Sequence, residues 1–164
     1  MNSLEKPHWR LLLDPGHFLS FGLGSGLSPF APGTIGTILA IPIALFMNHT
    51  SIDYRITLLS FLILLGIYLC GRSATLFKEH DHSSIVFDEI VGMLVPLLFI
   101  PLTVRNVLFC FCLFRFFDIL KPWPISFFDR SFRGGFGIMI DDLIAGLFTF
   151  LVFLFCTRWL DVLA

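Results

Sequence analysis

RFFDILKPWPISFFDRSFRGGFGIMIDDLIAG, residues 115 to 146, holds Asp118, Lys121, Asp129, Arg130, Arg133, Asp141 and Asp142 between two strongly apolar runs. Charged residues make up only 14% of the 164-residue chain. An ionisable side chain in a membrane-grade helix costs roughly 2.5 to 3.5 kcal/mol at mid-depth, so a cluster this dense reads as the working part of the molecule. The apolar runs on either side decide the fold: they are helices of a membrane bundle.

Composition agrees. Hydrophobic residues make up 56% of the chain, against roughly 45 to 50% for soluble domains, and the mean hydropathy is +0.87. The length allows one domain, residues 1–164, of the integral-membrane class. A net charge of -1 offers no basic patch for nucleic acid, so no nucleic-acid partner is expected. Cys70, Cys110, Cys112 and Cys156 sit inside apolar runs rather than at disulfide-framework or zinc spacings, and read as small buried hydrophobes. Asp14, Pro15 and Gly16 interrupt the apolar core that a cleaved leader needs, so none is expected.

Residues 1–20, with Lys6, Trp9, Arg10 and Leu11 to Leu13, read as a short interfacial segment. Residues 21–34, FGLGSGLSPFAPGT, carry Gly22, Gly24, Gly26 and Gly33 and read as an irregular loop, with Thr34 as a candidate cap for the first long helix. Apolar runs then extend over Ile35–Met47, Ile56–Gly71, Ile90–Val104, Asn106–Leu120 and Leu143–Leu160. Each is shorter than the roughly 20 residues of a full span, so flanking residues are expected to extend them. The expected fold is an all-α membrane bundle of five spans, or four if the first, broken by Pro42, is re-entrant.

Threading these runs puts residues 21–34, Asp88-Glu89, Asp118-Lys121 and Asp141-Asp142 on one face. Most basic residues fall there too, Arg72 and Lys78 among them, and by the positive-inside rule that face is cytoplasmic.

Asp88-Glu89 opens the third run and Asp141-Asp142 the fifth, with Asp118 at the foot of the fourth. Helix capping would account for one acid at each helix start. Adjacent pairs at two starts, plus a fifth carboxylate, fit better an oxygen-ligand site for a hard cation such as Mg²⁺ shared with a phosphate. Arg115, Lys121, Arg130 and Arg133 offer cations for a phosphomonoester, Arg in bidentate fashion; ordinary snorkelling toward headgroups competes, evenly so for Arg130. The glycine loop lacks the Gly-Lys-Ser/Thr ending of a P-loop, which removes nucleotide binding. His80-Asp81-His82 is read as an exposed polar loop before a metal or base site. No Gly-x-Ser-x-Gly elbow or activated cysteine supports nucleophilic serine or thiol chemistry.

GLGSGLSPFAPGTIGT, HDHSSIVFDEIVGM and the 115–146 stretch closely resemble, in order and spacing, the three signature regions of the phosphatidylglycerophosphatase A family. The resemblance covers residues 21 to 146. It implies a Mg²⁺-dependent lipid phosphatase of the bacterial inner membrane, with its active site facing the cytoplasm. Such an enzyme converts phosphatidylglycerophosphate to phosphatidylglycerol and inorganic phosphate. It implies Asp88, Glu89, Asp118, Asp141 and Asp142 as metal ligands, Asp88, Glu89, Asp118 and Asp142 also as catalytic groups, and Arg115, Lys121 and Arg133 as phosphate contacts with Thr34 near the anion. Water or a carboxylate remains open as the nucleophile, and oligomeric state is not specified. A CDP-alcohol type transferase would need an Asp-Gly-x-x-Ala-Arg string, but Asp142 is followed by Leu143. A carboxylate-based ion transporter would hold its acids at mid-membrane, whereas here they are expected at helix ends.

Overall fold

The computed structural model describes residues 7–77 and 82–159, and every element among them is helical. After a 3-10 turn at Trp9–Leu13 come α1 (Pro15–Ser20), a second 3-10 segment at Gly22–Leu27, α2 (Pro32–Met47), α3 (Ile52–Ala74), α4 (Phe87–Leu97), α5 (Val104–Leu120), α6 (Ile125–Ser131) and α7 (Gly134–Trp159). Helix starts follow their caps: Asp14 accepts from the backbone N–H groups of Gly16 and His17, Ser51 from Tyr54, and Thr103 from Asn106. The stretch 22–27, expected to be irregular, turns as 3-10 helix around the positive φ of Leu23 and Gly24.

α4 is the hub. Nine of its eleven residues are buried, and neighbours surround it in an order set by about 100° of rotation per residue. Val86, just before it, meets Gly36 of α2; Phe87 meets Gly66 of α3; Gly92 meets α7; Glu89 meets Arg115 of α5. Where α4 crosses α7 the main chains touch. A Cβ on Gly92 would stand 2.7 Å from the Asp142 carbonyl oxygen, and one on Gly146 would collide with the Gly92 carbonyl. α7 also packs on α3, where a Cβ on Gly135 would collide with the Ile67 carbonyl, and on α5 and α6.

Two apolar clusters fill the bundle. One gathers Ala40, Ala44, Met93, Leu94, Leu97, Cys110, Phe114 and Phe153; the other Phe21, Cys70, Phe87, Val91, Ile138 and Met139. At the opposite end of α4 from Asp88 and Glu89, Arg55 ties the C-terminal ends of two helices together. It donates to the carbonyls of Asn48 (2.5 Å), Thr50 (3.2 Å) and Leu98 (3.0 Å), and Asn48 and Leu98 are the C-caps of α2 and α4.

Several expected boundaries move. Among the described residues two helices, α3 and α7, are long and apolar enough to cross a membrane, and α2 is a shorter apolar helix. The third apolar run breaks, because α4 ends at Leu97 just after Pro96, and its burial makes it an interior helix. The fifth starts nine residues earlier than its apolar run, at Gly134, so Asp141 and Asp142 lie two turns inside α7. Helix capping therefore does not explain them, and the contrast with a transporter's mid-helix acids weakens. Thr34 is not a cap: α2 begins at Pro32, behind a left-handed Ala31 (φ 43°). Cys112 is exposed, unlike buried Cys70 and Cys110.

Candidate active site

Arg115 joins three helices. On α5, one turn from the helix end, its Nη1 donates to Asp118 Oδ2 at 2.5 Å, to Glu89 Oε1 of α4 at 3.4 Å and to Thr37 Oγ1 of α2 at 3.4 Å. Thr37 is wholly buried and donates its own proton to the Gly33 carbonyl at 2.8 Å, so its lone pairs face the guanidinium. Gly33 lets Glu89 come this close: a Cβ there would meet Glu89 Oε1 and push that carboxylate aside. The acids and Arg115 are only 12 to 16% exposed, so these contacts act in a medium of reduced dielectric.

Lys121 makes the second junction. It is the C-cap of α5 and holds a left-handed backbone, φ 42°, which costs a non-glycine residue about 1 to 2 kcal/mol. Its Nζ donates to Asp141 Oδ2 of α7 and to Asp129 Oδ1 of α6, each at 2.5 Å. Burial by itself pulls the ammonium pKa down, but the charge of Asp141 and the hydrogen bonds to Asp129 and Asp141 outweigh it. The result lies well above the ordinary lysine range, so Lys121 stays a cation.

Asp142 sits at the centre. It is 3% exposed, and it feels the charges of Asp118, Asp141, Asp88 and Glu89. Four carboxylates, from three helices far apart in the chain, are thus each within electrostatic reach of Asp142. Asp142 Oδ1 and Arg115 Nε are buried with no hydrogen-bond partner among the described residues. A buried carboxylate oxygen left so is costly unless a ligand completes it. The donor set is all oxygen, which suits a hard divalent cation. Among the described residues no three acidic, histidine or cysteine side chains converge at ligand distance. Arg115 draws Glu89 and Asp118 toward itself, so ligation requires these two carboxylates to turn toward Asp142, whereas Asp141, held to Lys121 by Oδ2, can bridge that cation and the ion through its two oxygens.

Of the phosphate contacts expected from sequence, Arg115 and Lys121 are here, paired with the acids. Thr34 lies in the first turn of α2, where Thr37 rather than Thr34 meets Arg115. Arg133 and Arg130 are exposed and form no ion pair among the described residues. His80 and Asp81 fall outside the described residues, as does Lys78; His82 stacks on Phe77 at 3.9 Å between ring centroids. Sequence reasoning passed over Thr37, and counted Asp129 among the dense charges and Gly33 in the glycine loop without giving either a partner. Asp129 lies eight residues beyond Lys121, and only the α5–α6 turn brings it back.

The sequence model of the phosphatidylglycerophosphatase A family matches residues 18–157. The chain belongs to that family. Within the phosphatidylglycerophosphatase A family it is 46% identical over 154 residues to the Haemophilus influenzae protein of that name, covering 91% of this chain and 93% of the relative. To the Escherichia coli phosphatidylglycerophosphatase A it is 44% identical over 135 residues, 82% and 78% of the two chains. A third relative, from Bacteroides thetaiotaomicron, is 40% identical over 146 residues, 84% of this chain and 90% of its own, and carries the provisional name phosphatidylinositol-3-phosphatase. No solved structure matches. Phosphatidylglycerophosphatases A are phosphatases, and the matched region takes in all three of the helices that carry the carboxylates.

Proposed function

We propose that this enzyme hydrolyses phosphatidylglycerophosphate to phosphatidylglycerol and inorganic phosphate in bacterial phospholipid synthesis, using Mg²⁺. One observation carries the reading: Asp88, Glu89, Asp118 and Asp141 are all within charge reach of buried Asp142, with Arg115 and Lys121 among them. Asp88, Glu89, Asp118, Asp141 and Asp142 would hold the ion, which when bound supplies positive charge against the non-bridging phosphate oxygens.

The chain's own residues do the rest. Arg115 and Lys121 turn N–H groups toward the phosphate oxygens, and exposed Arg133 meets the incoming headgroup. Water attacks phosphorus opposite the glycerol ester oxygen, forming one P–O bond as the other breaks. Asp142 takes the water's proton, and that proton is returned through solvent to the leaving alkoxide, so the step balances with no other donor.

The outer faces of α2, α3, α5 and α7 carry exposed Phe46, Leu64, Leu108 and Leu151, the surface a bilayer covers. We place these four helices across the cytoplasmic membrane with α4 enclosed among them. The carboxylate end then faces the cytoplasm, where basic residues concentrate.

The test is Mg²⁺-dependent phosphate release by protein purified in detergent and shown to insert normally. Asp142→Asn and Asp88→Asn are each expected to lose nearly all of it, and chelation of the metal to abolish it in the wild type. Retained activity in both variants ends the assignment. The substrate is tested on a panel. Preference for phosphatidylinositol 3-phosphate over phosphatidylglycerophosphate would move the chain toward its Bacteroides relative.

A further inference from the structure

We infer that Asp129, on α6 outside the carboxylate cluster, is a positioning residue that fixes the Lys121 ammonium so that its third N–H is presented to a phosphate oxygen. The inference rests on the phosphatase reading and names how that site grips its anion.

An ammonium has three N–H donors. Two are taken, by Asp129 Oδ1 and Asp141 Oδ2 at 2.5 Å each, and no further acceptor engages Lys121 among the described residues. Two acceptors on different helices fix the position of Nζ as well as the turn of its N–H groups, so the direction of the third N–H is set. One acceptor would leave the flexible lysine stem free to carry the ammonium elsewhere. The two carboxylates differ in kind: the Asp141 side chain is 4% exposed, that of Asp129 36%. Asp141 alone would draw the cation inward as a one-to-one pair. Asp129 shares it and holds it toward the open side, where a headgroup arrives.

The mounting is stiff. Lys121 is locked in a left-handed backbone, Pro122 and Pro124 fix φ in the connection to α6, and Ile125, 1% exposed, anchors that helix in the core. Asp129 thus faces Lys121 across a short, rigid loop and not at the end of a mobile one. A purely structural brace of α6 would give the same contact, so the test must separate the two.

The probe is inorganic phosphate, titrated calorimetrically into the Mg²⁺-loaded full-length protein in detergent, alongside thermal unfolding and phosphate release from phosphatidylglycerophosphate. Asp129→Asn is expected to weaken phosphate binding and lower kcat/KM by about tenfold, the range of losses seen when an outer partner of a site residue is removed. Asp129→Glu, which keeps the charge, is expected to recover most of both. Ser131→Ala, which removes only the α6 hydrogen bond from Ser131 Oγ to the Phe127 carbonyl, is expected to leave phosphate affinity unchanged. Wild-type phosphate affinity in Asp129→Asn, with or without a lowered unfolding midpoint, overturns the inference. Failure of the wild type to release phosphate from any lipid would instead sink the phosphatase reading, while the phosphate titration still reports on Asp129.

Discussion

Arg115 reaches a carboxylate on its own helix, one on α4 and a hydroxyl on α2 from the end of a long, planar guanidinium. Arg115→Lys supplies a point charge on a shorter, more flexible stem, and is expected to lower kcat/KM by at least about tenfold with near-normal folding. Arg115→Ala leaves Glu89 and Asp118 without their cation, and is expected to lower the unfolding midpoint as well. Gly33→Ala tests the same junction from the other side. Its new methyl group meets Glu89 Oε1, so the variant is expected to fold but lose most phosphate release. The spacing of Arg115 and Asp118 alone permits their pair, since residues three apart share a helix face. The roles of Gly33 and Thr37 were not legible in the sequence, because they depend on α2 crossing α4 at one depth, which no local pattern records.

At the scale of elements, the crossing of α4 and α7 sets the distance between the acid-bearing turns. Gly146→Leu has no room beside the Gly92 carbonyl and is expected to abolish folded protein, as judged by recovery of monodisperse material in detergent. Sequence reading placed the start of α7 too late, because the glycines at 134, 135 and 137 look like a turn. Gly135 is small because α3 lies against it, on the Ile67 carbonyl, while Gly134 has open space around it and a positive φ of 71°. A second joint is pH-sensitive. His17 of α1, 8% exposed, is paired with Ser73 of α3 at 2.8 Å, and Asp14, the α1 cap, bridges to Arg72 at 2.7 Å. Burial holds His17 below the ordinary histidine range, with Asp14 opposing and Arg72 reinforcing the shift. The unfolded chain therefore takes up the proton first, and stability falls as pH drops below about 6.5 toward the folded value. The unfolding midpoint is expected to be lower at pH 5.5 than at pH 7.5, and this difference to shrink in His17→Gln.

For the molecule as a whole, the all-helical class and the wealth of apolar surface were readable from composition. The count of crossings was not, because a hydrophobic run buried by neighbouring helices and one facing lipid have the same composition, as α4 shows. With the proposed orientation, a cysteine at Ser28 or Ser131 is expected to react with a membrane-impermeant maleimide only from the cytoplasmic side, and one at Asn48 or Thr103 only from the other, in a background lacking the native cysteines. The reverse pattern would invert the topology.

Arg55 adds a mechanical corollary. Pinning the tails of α2 and α4 to one guanidinium turns the two helices into a pair of tongs, riveted where no chemistry occurs. Relative motion grows with distance from a rivet, and the far tips are where Gly33 meets Glu89. Loosening the rivet with Arg55→Gln is therefore expected to speed amide exchange first at the opposite end, in the opening turns of α2.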